Sequence, residues 1–241
     1  MSLDFTKKLV VITGVGRAGQ VGEGLALGFA QRGATLALLD LDVTEVNARA
    51  AALIAQGFSA SAHAANLADP ADAARAAAAV IEAHAQLDGN VYAVVCAAGG
   101  FGSTGPLDST EPAAWHKQFT INLETAYNAT RAFLPAVRKA RGSFVYFGAV
   151  PALPGGTGAG LAAYSAAKSG VLALMRAVAA DERANGVRAN AIAPTQVRTA
   201  ANVNDMGADK DYVERESVAD VVAFLASPLA RNVTGQAIKL S

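Results

Sequence analysis

The chain has 241 residues, of which 52% are hydrophobic and 17% are charged, so it can bury one large core. Its 20 Lys and Arg residues balance its 20 Asp and Glu residues, and no basic cluster stands out, which argues against nucleic-acid binding. The single cysteine, Cys96, excludes a disulfide framework and a cysteine-rich zinc site.

Targeting and metal-binding patterns are also absent from the sequence. No apolar run reaches the length of a membrane span, and residues 1–8 lack the apolar core of a signal peptide. The three histidines, His63, His84 and His116, have no metal-ligand spacing. We therefore expect a soluble, cytoplasmic protein with a small-molecule substrate, no metal, no membrane and no nucleic-acid partner.

Short apolar runs alternate with long alanine-rich stretches along the chain. These runs do not alternate polar with apolar residues, which is typical of a parallel sheet covered on both faces. We predict an α/β fold: one Rossmann-type domain over residues 1–241, with a doubly wound, seven-stranded parallel sheet and helices on both faces. In chain order the pattern predicts strand 8–13, helix 22–32, strand 35–39, helix 43–56, strand 58–63, helix 71–86, strand 91–96, a helix capped by Ser109 or Thr110, strand 143–147, helix 162–185, strand 187–192, a helix from its cap at Ser217 to residue 225, and strand 236–240.

A glycine-rich turn joins the first predicted strand to the first predicted helix. Gly14, Gly16 and Gly19 match the G-x-G-x-x-G pattern, whose glycines let backbone N–H groups approach a pyrophosphate at a helix N-terminus. Asp40 ends the second strand, where a carboxylate can accept hydrogen bonds from an adenine ribose and repel a 2′-phosphate. Arg17 is the one nearby group that could attract that phosphate, so we expect NAD(H) to be favoured over NADP(H). A plain glycine turn is the alternative.

Tyr164 and Lys168 are four residues apart in a predicted helix and therefore share one face. A free Tyr has a pKa of about 10, and a neighbouring ammonium group lowers it. Tyr164 is thus a candidate proton donor and acceptor. The spacing is common by chance, but its position after the fifth strand of a dinucleotide fold makes it specific.

An ordered set of motifs extends along the chain: Thr13-Gly14, Asp40, Asn66-Leu67, Ala97-Ala98-Gly99, Asn122, Tyr164 with Lys168, and Ala193-Pro194. This set resembles the short-chain dehydrogenase/reductase family over essentially the whole length. The resemblance implies a Rossmann fold and a nicotinamide cofactor. It also implies that Tyr164 is the general acid/base, that Lys168 binds the nicotinamide ribose and tunes Tyr164, and that Asn122 helps to order a relay water.

The candidate site residues fall into three groups. The catalytic candidates are Tyr164, Lys168 and Asn122, and the substrate-contacting candidates are Phe101, Ala149 and Thr157. The cofactor-binding candidates are Gly14, Gly16, Gly19, Gln20, Val21, Gly22, Asp40, Leu41, Asn66, Leu67, Ala97, Ala98, Gly99, Tyr164, Lys168, Pro194 and Val197.

The chain departs from the family pattern at the glycine turn, which is two residues longer than usual and has Gln20 where a glycine is common. Enoyl reductases of the family have a loop of this length. They use Tyr-x6-Lys, however, and position 161 is Leu here, so we do not predict that activity.

A second departure concerns the catalytic serine of the family. Gly148-Ala149 stands where the family usually has Ser-Ser, and Thr157 is the only nearby hydroxyl that could substitute. Losing such a donor costs roughly 10²–10³ in rate. Dihydropteridine reductases also lack this serine and share the Cys96-x-Ala98-Gly99-Gly100 turn and Gly156-Thr157; that resemblance implies NADH and a quinonoid or planar substrate.

The sequence therefore predicts hydride transfer between nicotinamide and a small carbonyl, imine or quinonoid substrate. The alternative is a nucleotide-binding protein with little or no reductase activity, because Ala149 replaces the serine. The resemblance also implies a homotetramer or homodimer formed through the helices that carry Trp115 and Tyr164. The pattern does not predict the conformation of residues 194–216.

Overall fold

A parallel sheet of seven strands lies at the centre of residues 3–241, which are the residues that the computed structural model describes. The prediction that residues 1–8 lack the apolar core of a signal peptide includes positions 1 and 2, which lie outside the described residues. The strand order is β3-β2-β1-β4-β5-β6-β7, so the direction of winding reverses between β1 and β4. The strands are β1 (Leu9–Thr13), β2 (Thr35–Asp40), β3 (Ala60–Ala64), β4 (Ala93–Cys96), β5 (Ser143–Phe147), β6 (Arg188–Pro194) and β7 (Ala237–Leu240).

Helices cover both faces of this sheet, as predicted. In chain order they are α1 (Val21–Ala30), α2 (Val43–Ile54), α3 (Pro70–Ala83), α4 (Pro112–Phe119), α5 (Thr125–Ala140), α6 (Ala162–Asp181), α7 (Ala200–Met206) and α8 (Arg215–Ala226). A π-helical segment, Thr120–Glu124, joins α4 to α5. Within residues 3–241, no helix combines the length and the apolar character needed to cross a bilayer.

Two apolar layers account for the uninterrupted hydrophobic strands. Val10 and Ile12 of β1 pack with α1, α2 and α8, whereas Leu9 and Val11 pack with α3, α5 and α6. All four side chains are buried, and each contributes about 1.5–3 kcal/mol of transfer free energy. The doubly wound single-layer sheet is therefore confirmed.

Two predicted helix starts were wrong. The N-cap residue of the fourth helix is Glu111, not Ser109 or Thr110, because a residue that precedes proline is biased towards the extended backbone of a cap. The last helix begins after Glu214, so Ser217 lies inside it. A bridge between Val197 and Val213 holds the chain in an extended conformation just before this helix begins.

Other boundaries moved by a few residues. The third strand begins at Ala60 rather than at residue 58. The chain leaves α2 through Gly57, which has a left-handed φ, and Phe58 N–H then donates to the Leu53 carbonyl. Phe58 therefore belongs to the turn and not to the strand. Helix α6 ends at Asp181, and a 3-10 turn completes the predicted stretch to residue 185. Helix α7 lies in the segment whose conformation the sequence did not predict.

Candidate active site

The carboxyl ends of β1 and β4 form the floor of a crevice in which the glycine turn packs against the Ala97–Gly99 segment. Gly14 has φ +77°, and a Cβ there would lie 2.7 Å from Ala98 Cα. A Cβ at Gly22 would lie 2.2 Å from the Gly14 carbonyl oxygen. Ala98 N–H donates to Thr13 Oγ1 at 3.0 Å. Only glycine fits at Gly14 and Gly22, because the turn packs closely against the Ala97–Gly99 segment and against itself.

Asp40 lies at the end of β2, as predicted, and it also holds the glycine turn. Its Oδ2 accepts a hydrogen bond from Gly16 N–H at 2.7 Å, and its Oδ1 accepts one from Asp42 N–H at 3.1 Å. Each carboxylate oxygen has a second lone pair, so the group can still accept from a ligand hydroxyl. Arg17 is exposed in the same turn, and among residues 3–241 it has no ion pair.

Glu23 is a second carboxylate at the turn, and the sequence analysis missed it. Its Oε2 accepts from Gly19 N–H at 2.8 Å. The same side chain pairs with Arg49 at 2.9 Å and with Arg215 at 3.3 Å. Glu23 therefore ties the longer glycine turn to α2 and α8. No local pattern signals these partners, because they lie 26 and 192 residues away along the chain.

Helix α7 lies against the same turn. Ala200 N–H donates to the Gly19 carbonyl at 2.9 Å, and a Cβ at Gly19 would lie 2.8 Å from the Ala200 Cβ. Gln20 is the N-cap residue of α1, but its side chain makes no capping hydrogen bond. The longer turn is therefore supported by packing rather than by a cap.

The remaining cofactor candidates surround the outer part of the crevice. Leu41 is exposed, whereas Leu67 and Val197 are buried. Asn66 N–H donates to the Asp72 carboxylate, and its own Oδ1 accepts from Ala68 N–H. Pro194 ends β6. These residues therefore lie on the loops that follow β2, β3 and β6.

Tyr164 and Lys168 both lie in α6 and face the end of β5. Lys168 is 6% exposed, and its Nζ donates to the Phe147 carbonyl at 2.9 Å. The Nζ lies 5.9 Å from the Tyr164 ring centroid. Burial lowers the pKa of Lys168 to about 8, which still leaves it a cation at neutral pH.

The pKa of Tyr164 is not lowered in this structure, contrary to the sequence-based expectation. Burial raises the pKa of Tyr164 to about 12, because the phenolate would lose its hydration. The Lys168 ammonium is bonded to the Phe147 carbonyl and does not offset this cost. Tyr164 is therefore held in its protonated form.

Asn122 is buried in the π-helical segment, and its side-chain amide is fully engaged. The Oδ1 accepts from Gly100 N–H at 3.1 Å. The Nδ2 donates to the Gly100 carbonyl at 3.1 Å and to the Gln118 carbonyl at 3.0 Å. The side chain therefore braces the Gly99-Gly100 loop.

The substrate candidates lie in the segments that follow β4 and β5. Ala149 is 5% exposed and has extended backbone directly after β5. Phe101 is 71% exposed, and its ring contacts Tyr164 edge to face with centroids 5.3 Å apart. Thr157 is exposed, and its hydroxyl makes no hydrogen bond within residues 3–241. Burial raises the pKa of the nearby Cys96 thiol to about 12, so this thiol is unreactive at neutral pH.

Two histidines that are far apart in sequence meet outside the crevice. The Nε2 atoms of His63 and His84 each lie 2.9 Å from Ser61 Oγ. Burial lowers the pKa of both rings, and the neighbouring His84 lowers that of His63 further. Within the described chain, no group of three or more His, Cys, Asp or Glu could hold a metal ion.

The residues of the crevice fit a nicotinamide dinucleotide. Glycine lets the backbone at Gly14, Gly16 and Gly22 pack tightly against Ala98, Asp40 and the turn itself. The Gly16 and Gly19 N–H groups are held by Asp40 and Glu23, so the N–H groups left for a pyrophosphate are those in the first turn of α1. Asp40 supplies an acceptor for a ribose diol, and Lys168 supplies a donor at the opposite end. Asp40 is thus suited to the adenosine half of the cofactor, and Lys168 to the nicotinamide half.

Comparisons with known proteins agree with this fit. Residues 14–240 match a family model described as enoyl-(acyl carrier protein) reductase. The chain is 33% identical to 2-(S)-hydroxypropyl-CoM dehydrogenase 3 of Xanthobacter autotrophicus, with 98% of this chain and 96% of that protein covered. It is 28% identical to cyclohexanol dehydrogenase of an Acinetobacter species, covering 98% and 94%. A short-chain type dehydrogenase/reductase from Mycobacterium ulcerans has a similar structure, with a TM-score of 0.88, 27% identity, and 98% and 89% coverage.

Proposed function

Because the chain belongs to the short-chain dehydrogenase/reductase family of oxidoreductases, we propose that it transfers hydride between NAD(H) and a small carbonyl, imine or quinonoid substrate. The observation that carries the proposal is the pairing of Tyr164 with Lys168 at the end of β5. Lys168 is buried, is oriented by the Phe147 carbonyl, and keeps its charge beside the Tyr164 ring. A buried cation in contact with so few partners costs stability, which is typical of functional positions.

In this mechanism the bound cofactor supplies or accepts the hydride, and the chain handles the proton. Tyr164 Oη donates a proton to the substrate oxygen or nitrogen during reduction and accepts it during oxidation. Its burial keeps it protonated at neutral pH, which is the form that reduction requires. Lys168 binds the nicotinamide ribose, and Asn122 holds the Gly99-Gly100 loop in place.

The proposed preference for NADH rests on the charge at the end of β2. Asp40 offers an acceptor to the adenine ribose and repels a 2′-phosphate, whereas Arg17 is the one cation in the turn that could attract it. Leu41, Asn66 and Leu67 border the adenine in this proposal.

The substrate must be reactive enough to need no serine hydroxyl. Ala149 offers only a methyl group where the family usually has a serine hydroxyl, and Phe101 places an aromatic ring against Tyr164. An electron-poor substrate, such as a diketone, a quinone or a quinonoid pterin of the dihydropteridine-reductase type, meets this requirement. The names of two relatives, dehydrogenases of 2-(S)-hydroxypropyl-CoM and of cyclohexanol, favour the alcohol and carbonyl pair.

The second candidate is a nucleotide-binding protein with little turnover. Only the replacement of the serine by Ala149 favours it. A binding protein has no need for the Tyr164 and Lys168 pair, so we rank it below the oxidoreductase.

The proposal extends to assembly and location. Tyr127 of α5 is 49% exposed, and Trp115 and Phe119 of α4 pack on each other. These side chains support a homodimer or homotetramer formed through this side of the molecule. A chain with one buried cysteine is suited to the reducing cytoplasm.

Calorimetric titration of the purified chain with NADH and with NADPH is the first test. We expect tight binding of NADH and weaker binding of NADPH, followed by turnover on a panel of diketones, quinones and quinonoid pterins. Binding of neither nucleotide would contradict the proposal, since the longer glycine turn would then be closed to a pyrophosphate. Binding without turnover on any panel member would favour the second candidate.

A further inference from the structure

Four arginines gather at the edge of the sheet opposite the crevice. They line an open cavity of about 710 Å³ and come from four separate segments: Arg141 after α5, Arg183 after α6, Arg188 at the start of β6, and Arg231 after α8. The crevice lies at the carboxyl ends of the strands, whereas this cavity lies at their amino ends. The sequence analysis saw no basic cluster because these residues are scattered along the chain.

The charge of this cavity is not neutralised. None of the residues that line it is Asp or Glu. Within residues 3–241, the side chains of Arg141, Arg183 and Arg231 make no ion pair. The neighbouring Glu182 is committed elsewhere, because its carboxylate accepts from Arg138 at 2.7 Å. A chain with net charge +0 has thus concentrated positive charge in one place.

The structure fixes one of these arginines and leaves room for another. Arg188 donates to the Leu225 carbonyl at 2.5 Å and to the Ala226 carbonyl at 3.1 Å, so it is fixed at the end of α8. A Cβ at Gly186 would lie 2.8 Å from Arg141 Nε, so the glycine leaves room for that guanidinium. Side chains that are already positioned lose less conformational entropy when they bind a ligand.

We propose that this cavity binds a small anion that carries two or more phosphate groups. The planar guanidinium donates paired hydrogen bonds that match phosphate oxygens, and Arg141, Arg183 and Arg231 keep their donors free. Tyr92 and Asn232 add an aromatic edge and an amide to the lining. The site is separate from hydride transfer and does not depend on the function proposed above.

Calorimetry on the full-length chain tests this inference. Inorganic pyrophosphate, ADP and orthophosphate are titrated separately, with saturating NADH present to fill the crevice and with NaCl matching the ionic strength. We expect saturable binding of pyrophosphate and of ADP, and at least roughly tenfold weaker binding of orthophosphate, which has fewer charges. A preference for ADP over pyrophosphate would identify a nucleotide as the ligand, and equal affinity would identify the diphosphate alone.

The matched variants are Arg141→Gln, Arg183→Gln and Arg231→Gln, singly and combined, with Arg176→Gln as the control. Arg176 is an exposed arginine of α6 outside the cavity. We expect the triple variant to bind pyrophosphate at least roughly tenfold more weakly, with NADH affinity and thermal unfolding unchanged. The inference is overturned if pyrophosphate and ADP show no saturable binding. It is also overturned if the triple variant binds as well as the starting chain, or if Arg176→Gln causes the same loss.

Discussion

The two ends of the crevice differ in how their charges are satisfied. At the glycine turn, Asp40 and Glu23 accept backbone N–H groups, and Glu23 also pairs with two arginines. At the other end, Lys168 is buried with a single carbonyl partner, and its pKa falls to about 8. At the glycine turn both carboxylates are matched by donors, although Arg49 Nε is buried with no hydrogen-bond partner within residues 3–241. The end assigned to chemistry keeps an undercompensated cation. The chain thus keeps an undercompensated buried charge at the end where we propose that a proton moves.

The largest effect is expected from Tyr164→Phe, which removes the proton donor and keeps the ring against Phe101. We expect kcat to fall by roughly 10²–10⁴-fold with NADH affinity unchanged. Steady-state kinetics and calorimetry measure the two quantities, and Tyr127→Phe on the exposed face of α5 is the control. Unchanged turnover in Tyr164→Phe would show that the oxidoreductase mechanism is wrong.

At the binding end, Asp40→Ala removes the ribose acceptor and the charge that repels a 2′-phosphate. We expect the ratio of NADH affinity to NADPH affinity to fall by roughly tenfold or more, the scale of one charged hydrogen bond. Asp181→Ala, an exposed carboxylate at the end of α6, should leave the ratio unchanged. A constant ratio in Asp40→Ala would mean that another group reads the ribose.

Lys168→Met tests the strain directly, because it removes a buried charge at nearly constant volume. In the folded chain the pKa of Lys168 is about 8, below its ordinary value of 10.5, so at neutral pH its charge costs stability on the order of 3 kcal/mol. We expect the free energy of unfolding at pH 7 to rise by about 1–3 kcal/mol while turnover is lost.

The sign of the pH dependence gives a second readout of the same change. Between about pH 8 and 10.5 the unfolded chain binds this proton and the folded chain does not, so the contribution of Lys168 to stability rises with pH across that window. Cys96 and Tyr164, whose pKa values burial raises to about 12, contribute in the opposite direction, so the variants are compared with each other. Denaturation at several pH values should show that the starting chain gains stability relative to Lys168→Met across the window. Lys210→Met, at an exposed position, should show the same gain. A Lys168→Met variant less stable than the starting chain would argue against strain at this end.

The smallest effect concerns the His63 and His84 pair, which lies away from both ends. Both pKa values are lowered in the folded chain, so the unfolded chain binds more protons as the pH falls below about 6.5. We expect stability to decrease as the pH falls through this range, measured by urea denaturation between pH 5 and 7. His84→Gln should flatten the decrease, and His116→Gln, at an exposed site, should not. An unchanged slope in His84→Gln would assign the decrease to other groups.

The short apolar runs in the sequence were enough to predict the seven-stranded parallel sheet. The five residues of β1 are all buried, and the first four of them are apolar. Contacts between distant segments were not predictable. The partners of Glu23, the meeting of two histidines at Ser61, and the gathered arginines depend on which helices and strands pack together. Helix α7 has seven residues and no buried stripe, so its sequence carries no apolar period.

The π-helical segment Thr120–Glu124 changes how the side chains of α5 are rotated about the helix axis relative to those of α4. A π turn holds one more residue than an α turn, and each α-helical residue advances by about 100°. The insertion therefore sets the rotation of α4 and α5 independently. Asn122 can point at Gly100 while Phe133 and Val137 still face the sheet. Deleting one residue here would either rotate Phe133 and Val137 out of the core or move the Asn122 amide away from Gly100. The extra residue therefore allows both the core packing and the hydrogen bond to Gly100 to form.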